Sequence, residues 1–227
     1  MKVMRCCDIY DINVGIIKQC LIALISFSNT IFISKLFCIF KLSCCYSGNF
    51  SISQSTISTN TANGARGGAI YFDDSSTSPA TLLALLIESN TIVNNVAGYQ
   101  GGGIFHNGAN NDDISINNSV IAKNTANSGY MNLSGVFNSL DYSWVGDNNG
   151  DLNFVTDPTF TNLPTNSTTE GDESTLLLGD LEDNGGSTLT HRPQASSPLL
   201  ESGNSSTENL SATDQRGTTR VVGALDI

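Results

Sequence analysis

Three stretches of the chain align without internal gaps: FSISQSTISTNTA from Phe50, LLIESNTIVNNVA from Leu85 and ISINNSVIAKNTA from Ile114. Five columns recur in order: Phe50/Leu85/Ile114, Ile52/Ile87/Ile116, Ile57/Ile92/Ile121, Asn60/Asn95/Asn124 and Ala62/Ala97/Ala126. The steps are 35 and then 29 residues. A recurring unit constrains the fold more than any single element does, because each copy has a neighbour of its own kind to pack against. Within a copy the first two apolar positions are two residues apart, the spacing of a strand that buries one face. Ser, Asn or Thr then fill a bend before a second short apolar pair, and no copy carries an apolar stripe of helical length.

Each copy is therefore about three very short strands joined by polar corners, and none can bury its apolar face alone. Stacking the copies as coils of a parallel β-helix removes the difficulty. Each strand pairs with its equivalent one coil along, at roughly 4.8 Å, and the inward columns merge into one core. The Asn60, Asn95 and Asn124 column then has a role: an amide at the same corner of successive coils passes hydrogen bonds along the stack and tolerates a left-handed corner backbone. A glycine pair also returns, in GGAIYF (67–72) and GGGIFH (101–106). Gly67, Gly68, Gly101 and Gly102 are expected at corners that need positive φ or close approach of neighbouring coils. A phosphate cradle would instead need G-x-G-x-x-G between a strand and a helix, and no helix follows.

Composition divides the chain. Residues 1–47 hold all six cysteines, five of the ten basic residues and two acids, net +3; residues 48–227 hold five basic residues and nineteen acids, net −14. So acidic a body repels phosphates, which argues against nucleic acid and anionic membranes and leaves cations or neutral surfaces such as glycans as partners. The leader reads three ways: a degenerate export or anchor segment, a mis-assigned start, or a folded subdomain. Its apolar run 20–40 is interrupted by Ser26, Ser28, Asn29, Thr30, Ser34 and Lys35, and Asp8 and Asp11 spoil the basic start that a secretory signal needs. Cys6–Cys7 and Cys44–Cys45 are adjacent pairs with no histidine nearby, unlike a zinc site.

The Ile-x-x-Asn element at 57–60, 92–95 and 121–124, with the glycine-led strands after it, is similar to the repeats of bacterial right-handed parallel β-helix surface proteins, including the polymorphic outer-membrane type, where Phe usually replaces this Ile. NLSGVFNSLDYSWVGDNNG (132–150), DPTF (157–160), LLLGDLEDNGGSTLTHRPQASSPLLESGN (176–204) and TDQRGTTRVVGALDI (213–227) resemble the C-terminal region of proteins carrying the choice-of-anchor Q domain. The resemblance implies an exported or surface-displayed solenoid without an established catalytic role. In that family the final Asp-Ile continues into a short Gly-Ala-Phe/Tyr-Glu ending and many more coils come first, so this chain is expected to be a fragment. The domain reading is a leader at 1–47, right-handed parallel β-helix coils at 48–155, and an extended C-terminal cap at 156–227, with Asp214, Arg216, Arg220 and Asp226 pairing to close the open end of the stack.

Catalytic chemistry finds little support in the residues. His106 and His191 are the two histidines and lack metal spacing; His106 reads as a corner residue and His191 as a hydrogen-bonding anchor of the cap. No G-x-S-x-G elbow occurs. Asp73–Asp74, Asp112–Asp113 and Glu182–Asp183 are adjacent loop acids, whereas glycoside cleavage needs two carboxyls facing each other across a groove. Asp147, Asn149 and Asp151 are the one metal candidate, for calcium, although the glycine comes early for an EF-hand and Pro158 stands where the bidentate Glu belongs. No other cofactor is expected. Trp144 and Tyr142 read as an aromatic pair closing the third coil rather than a sugar platform. Arg66 and Lys123 are the only basic residues between 48 and 191, too few for a lyase that binds a polyanion. The expected function is an extracellular or cell-surface adhesive or display module of a bacterium that binds glycans or surface components; the rival is a polysaccharide lyase or glycoside hydrolase fragment.

Overall fold

The computed structural model describes residues 31–32, 40–43, 48–73, 83–107, 113–147, 172–206 and 211–219. Among the described residues every regular element is a strand, so none is a helix long and apolar enough to cross a membrane. The strands come in sets. β1 (Ile31–Phe32) and β2 (Phe40–Ser43) precede a first unit of β3 (Gly48–Ser53), β4 (Thr56–Ser58), β5 (Thr61–Ala62) and β6 (Ile70–Asp73). The second unit is β7 (Leu83–Glu88), β8 (Thr91–Val93), β9 (Val96–Ala97) and β10 (Ile104–Asn107). The third is β11 (Asp113–Asn117), β12 (Val120–Ala122), β13 (Thr125–Ala126) and β14 (Leu133–Ser134), and β15 (Ser139–Asp141) and β16 (Trp144–Val145) begin a fourth. A hairpin of β17 (Leu178–Glu182) and β18 (Thr190–Pro193) lies in the C-terminal part.

Each strand pairs in parallel with its equivalent in the next unit, giving four stacks: β1-β3-β7-β11-β15, β2-β6-β10-β14, β4-β8-β12-β16 and β5-β9-β13. The arrangement is compatible with an all-β solenoid. The register follows the sequence columns residue for residue: Phe50, Leu85 and Ile114 are partners, as are Ile52, Ile87 and Ile116, then Ile57, Ile92 and Ile121, and finally Ala62, Ala97 and Ala126. Alternation within each short strand turns one set of aliphatic side chains inward. Ile57, Ile87, Ile92, Ile114, Ile116 and Ile121 have no exposed surface, each burial being worth about 1.5–3 kcal/mol. Ile70, Ile104 and Leu133 continue the same core along the β6 stack.

A second, smaller apolar layer lies on the outer side of the β4 stack. Val93, Val120, Ala122 and Trp144 face away from the main core and are covered by Leu176, Leu199 and the half-buried Leu178 from the C-terminal segment. That segment is a strap along one flank, reaching from Thr56 and Ser58 in the first unit to Trp144 in the fourth. Its path covers the apolar outward residues of the β4 stack, which gain from leaving water, and its Glu173 meets the last rung of the corner ladder at Asn132. Trp144 consequently sits under the strap at 7 % exposure, while Tyr142 stays outside at 39 %; the two do not form an aromatic pair at a coil end.

Candidate functional site

The corners carry most of the polar chemistry. Asn60 Nδ2 donates to Asn95 Oδ1, Asn95 Nδ2 to Asn124 Oδ1, and Asn124 Nδ2 to Asn132 Oδ1, at 2.9, 2.9 and 2.8 Å. Each accepting oxygen also takes the backbone N–H of the preceding rung. All four asparagines are at most 3 % exposed. Asn132 ends the series by donating to Asp147 O and Glu173 Oε1, and Glu173 Oε1 also accepts the amide of Lys123. The left-handed residues are not the ladder asparagines but those just before them: Thr59, Asn94 and Lys123, at φ 61°, 59° and 54°. A left-handed residue there turns the chain so that the next side chain enters the stack, which is why the asparagine itself keeps ordinary φ.

A second corner series mixes residue types. Ser55 N donates to Asn90 Oδ1, Asn90 N to Ser119 Oγ and Ser119 N to Ser143 Oγ. The residues before these, Gln54, Ser89, Asn118 and Tyr142, again have positive φ. The signal was present: a small polar residue stands two places before Ile57, Ile92, Ile121 and Val145. The glycine pairs occupy the remaining corner. Gly67 and Gly101 have φ of 71° and 66°, whereas a Cβ on Gly68 would strike Gly102 O and one on Gly102 the carbonyls of Thr125 and Met131.

The seam between strap and stack brings Ser58 and His191 together. Ser58 Oγ lies 2.9 Å from His191 Nε2, and His191 Nδ1 lies 2.8 Å from Gly179 O. A carbonyl only accepts, so Nδ1 carries the proton and Nε2 accepts from the serine. The contact has the form of a nucleophile beside a base. Both residues are 7 % exposed beneath the hairpin, however, and their bond pins β18 to β4. Burial pushes the imidazole below its ordinary value; the Gly179 bond and the charge of Asp180 oppose that, and Lys123 adds to it. Gln215 Oε1 accepts from Thr56 Oγ1 at 2.8 Å, and Asn118 and Asn204 exchange two bonds. A shallow depression of about 330 Å³ lies beside the hairpin, lined by Gly179, Glu182, Arg192, Pro193, Gln194 and Ala195.

The side of the β6 stack opposite the main core carries two aromatic rings, Tyr71 half-buried and Phe105 only 6 % exposed. Tyr71 and Phe105 are register partners whose rings stack at 5.3 Å, and the Arg66 guanidinium lies 5.1 Å from the Phe105 centroid. Arg66 is exposed, and Tyr99, whose amide bonds the neighbouring Ala65 O, is 52 % exposed. His106, expected at a corner, lies inside β10 with its ring between Phe72 and Phe137 and Nδ1 on Val136 O.

Asp214 and Arg216 form an ion pair with a 2.6 Å contact. Burial acts to raise the Asp214 pKa, but bonds from Arg216 and Thr218 and the Arg216 charge outweigh it and leave it lowered. Asp147 is exposed. Asp74, Asp112, Asn149, Asp151, Pro158, Arg220, Asp226 and all six cysteines lie outside the described residues, and for Asp73 and Asp113 only the backbone is described. Among the described residues no group of three His, Cys, Asp or Glu side chains converges. No family model, curated protein or solved structure matches this chain.

Proposed function

We propose that residues 48–227 are the C-terminal coils and strap of a right-handed parallel β-helix of the choice-of-anchor Q kind, displayed at a bacterial cell surface, that holds glycans or surface components without catalysis. The observation that carries the binding reading is the exposed Tyr99 and Arg66 beside the half-buried Tyr71, with the buried Phe105 ring backing Tyr71 and Arg66 from beneath. Sugar rings present C–H faces that lie flat on aromatic rings, and a guanidinium beside them donates in a fork to hydroxyl or carboxylate oxygens. Supporting the display role, the stack's polar corners are consumed in internal bonds, so the outer faces of the strands and the loops are left to vary with the ligand. A glycan array followed by calorimetry on the best hit tests this. Tyr99→Ala and Arg66→Ala are expected to weaken binding at least about tenfold at unchanged Tm. The rival enzyme reading is tested alongside by reducing-sugar and unsaturated-product assays on a polysaccharide panel with calcium present; sustained turnover defeats the adhesive reading.

A further inference from the structure

Four buried side-chain oxygens of the described residues have no hydrogen-bond partner: Asn60 Oδ1, Glu88 Oε2, Ser89 Oγ and Asn117 Oδ1. The first is the open acceptor at the head of the amide ladder. The other three belong to adjoining backbone positions. Glu88 and Asn117 are register partners at the ends of β7 and β11, which puts their Cα atoms about 4.8 Å apart. Both side chains leave the sheet on the face opposite Ile87 and Ile116. Ser89 follows Glu88 at a left-handed corner, φ 55°, and its amide donates to Asn117 O at 3.0 Å. Asp141, the register partner of Asn117, is the next rung of the same column. The strap passes over the adjoining corner, where Asn204 N donates to Asn118 Oδ1 and Asn118 Nδ2 to Asn204 O, at 2.7 and 3.1 Å, leaving Asn118 1 % exposed.

Glu88 is only 3 % exposed, and no basic side chain of the described residues is paired with it. An ionised carboxylate so removed from water is strongly unfavourable unless something compensates it. The neighbouring positions supply an amide carbonyl, which only accepts, and a hydroxyl, which accepts as well as donates, so a component able to satisfy all three oxygens at once is electron-poor. Calcium takes six to eight oxygens drawn from carboxylates, Asn carbonyls, backbone carbonyls and waters, with tolerant geometry. A water would satisfy two of the acceptors and leave the charge uncompensated. We infer that Glu88, Asn117 and Ser89, with Asp141 as the adjoining rung, hold a hard divalent cation of the calcium type under the strap. The site shares no residue with the calcium candidate Asp147, Asn149 and Asp151 or with the aromatic face. It joins two successive units beside the corner that holds the strap, so filling it tightens both.

The test uses the full chain, stripped with a chelator and titrated with calcium chloride, read by calorimetry and thermal melting, with magnesium chloride as a parallel arm. At about a hundredfold excess over Kd, calcium is expected to raise Tm by about 5–10 °C. Glu88→Gln should remove that shift and weaken calcium binding at least about tenfold, and Asn117→Asp should strengthen it by adding charge. Asp151→Asn should leave the shift unchanged. An identical wild-type Tm with chelator and with calcium overturns the inference. So does a calcium shift that survives Glu88→Gln, or one that Asp151→Asn abolishes, since the ion then sits elsewhere. A larger response to magnesium than to calcium overturns the assignment of cation type. Should Glu88→Gln fail to fold, the wild-type and Asn117→Asp titrations still decide.

Discussion

The stack of units and the strap along its flank are held by different physics. In the stack, one residue type meets its own kind: Ile on Ile inside, Asn on Asn at the corner, each at or near zero exposure. Stabilisation there is repeated, so each rung is supported from both sides and loosening one unit costs its neighbours. The strap has no such repetition. It places two fully buried leucines, Leu176 and Leu199, over Val93, Val120, Ala122 and Trp144, and adds single side-chain bonds at Ser58, Thr56 and Asn118. Many of its residues stay exposed. Repetition makes a cooperative body, and a few plugs make a separable arm.

The comparison breaks most directly with two cavity mutations of similar size. Ile92→Ala removes a side chain with no exposed surface from the middle of the main core and is expected to cost about 2–5 kcal/mol, read as one lowered denaturation midpoint by all probes. Leu199→Ala removes an equally buried side chain from the strap layer. There the loss should be local: amide exchange across 172–206 speeds up while the amides of Asn95 and Asn124 keep their protection. Equal loss of protection in both regions would show that strap and stack are one cooperative unit.

The amide ladder sharpens the same contrast within the stack. Asn95 accepts from Asn60, donates to Asn124 and also donates to Ile57 O and Val93 O. Replacing it with Ala orphans buried groups on both neighbouring units and should cost about 2–4 kcal/mol. Asn60 stands at the end, with its Oδ1 already unpartnered, so Asn60→Ala should cost roughly half as much. Chemical denaturation of both variants decides whether ladder position or mere burial sets the cost.

How far the sequence displays this design depends on whether an interaction repeats. The Ile57, Ile92, Ile121 column and the Asn60, Asn95, Asn124 column are visible because the same side chain recurs at a near-constant step, and the strands pair along those columns. Asn132, the last rung, follows Asn124 by only eight residues and so falls outside the period. The Ser55, Asn90, Ser119, Ser143 corner mixes hydroxyl with amide, which hides a common role behind different residue types. The left-handed positions are filled by Gln54, Thr59, Ser89 and Lys123 among others, residues that do not advertise positive φ as glycine does. The strap's partners lie 86, 133 and 159 residues away, and no local pattern encodes a single contact made at such separation. Glu88 reads in the sequence as an ordinary strand-end acid; only its burial distinguishes it.

Acid should act on the strap before the stack. His191 is held below its ordinary imidazole value of 6.5, chiefly by burial. A base depressed in the folded chain favours folding in its neutral form. The contribution is complete above the unfolded value, shrinks as pH falls from there through the folded pKa, and is gone below it. Limited proteolysis from about pH 8 to about pH 5 should therefore cut the 172–206 region faster on the acid side while the units resist. His191→Gln, which cannot gain the charge, should flatten that dependence. A wild-type profile already flat would mean that His191 stays neutral across this range.

The smallest effect is expected at the Arg216–Asp214 pair. Its contact is short and supported by the bonds that Asp214 Oδ1 accepts from the amides of Arg216 and Thr218, but the side chains are 36 % and 23 % exposed. Solvent at that exposure screens the attraction, and ordering a long arginine offsets part of what remains. Arg216→Ala should thus cost less than about 1 kcal/mol and lose what effect it has at high salt. Asp214→Ala should cost more than Arg216→Ala, because it also leaves the turn amides of Arg216 and Thr218 without their acceptor. Thermal melts of the two variants at low and high salt test the order; the reverse order would make the guanidinium, and not the turn, the anchor of this end of the strap.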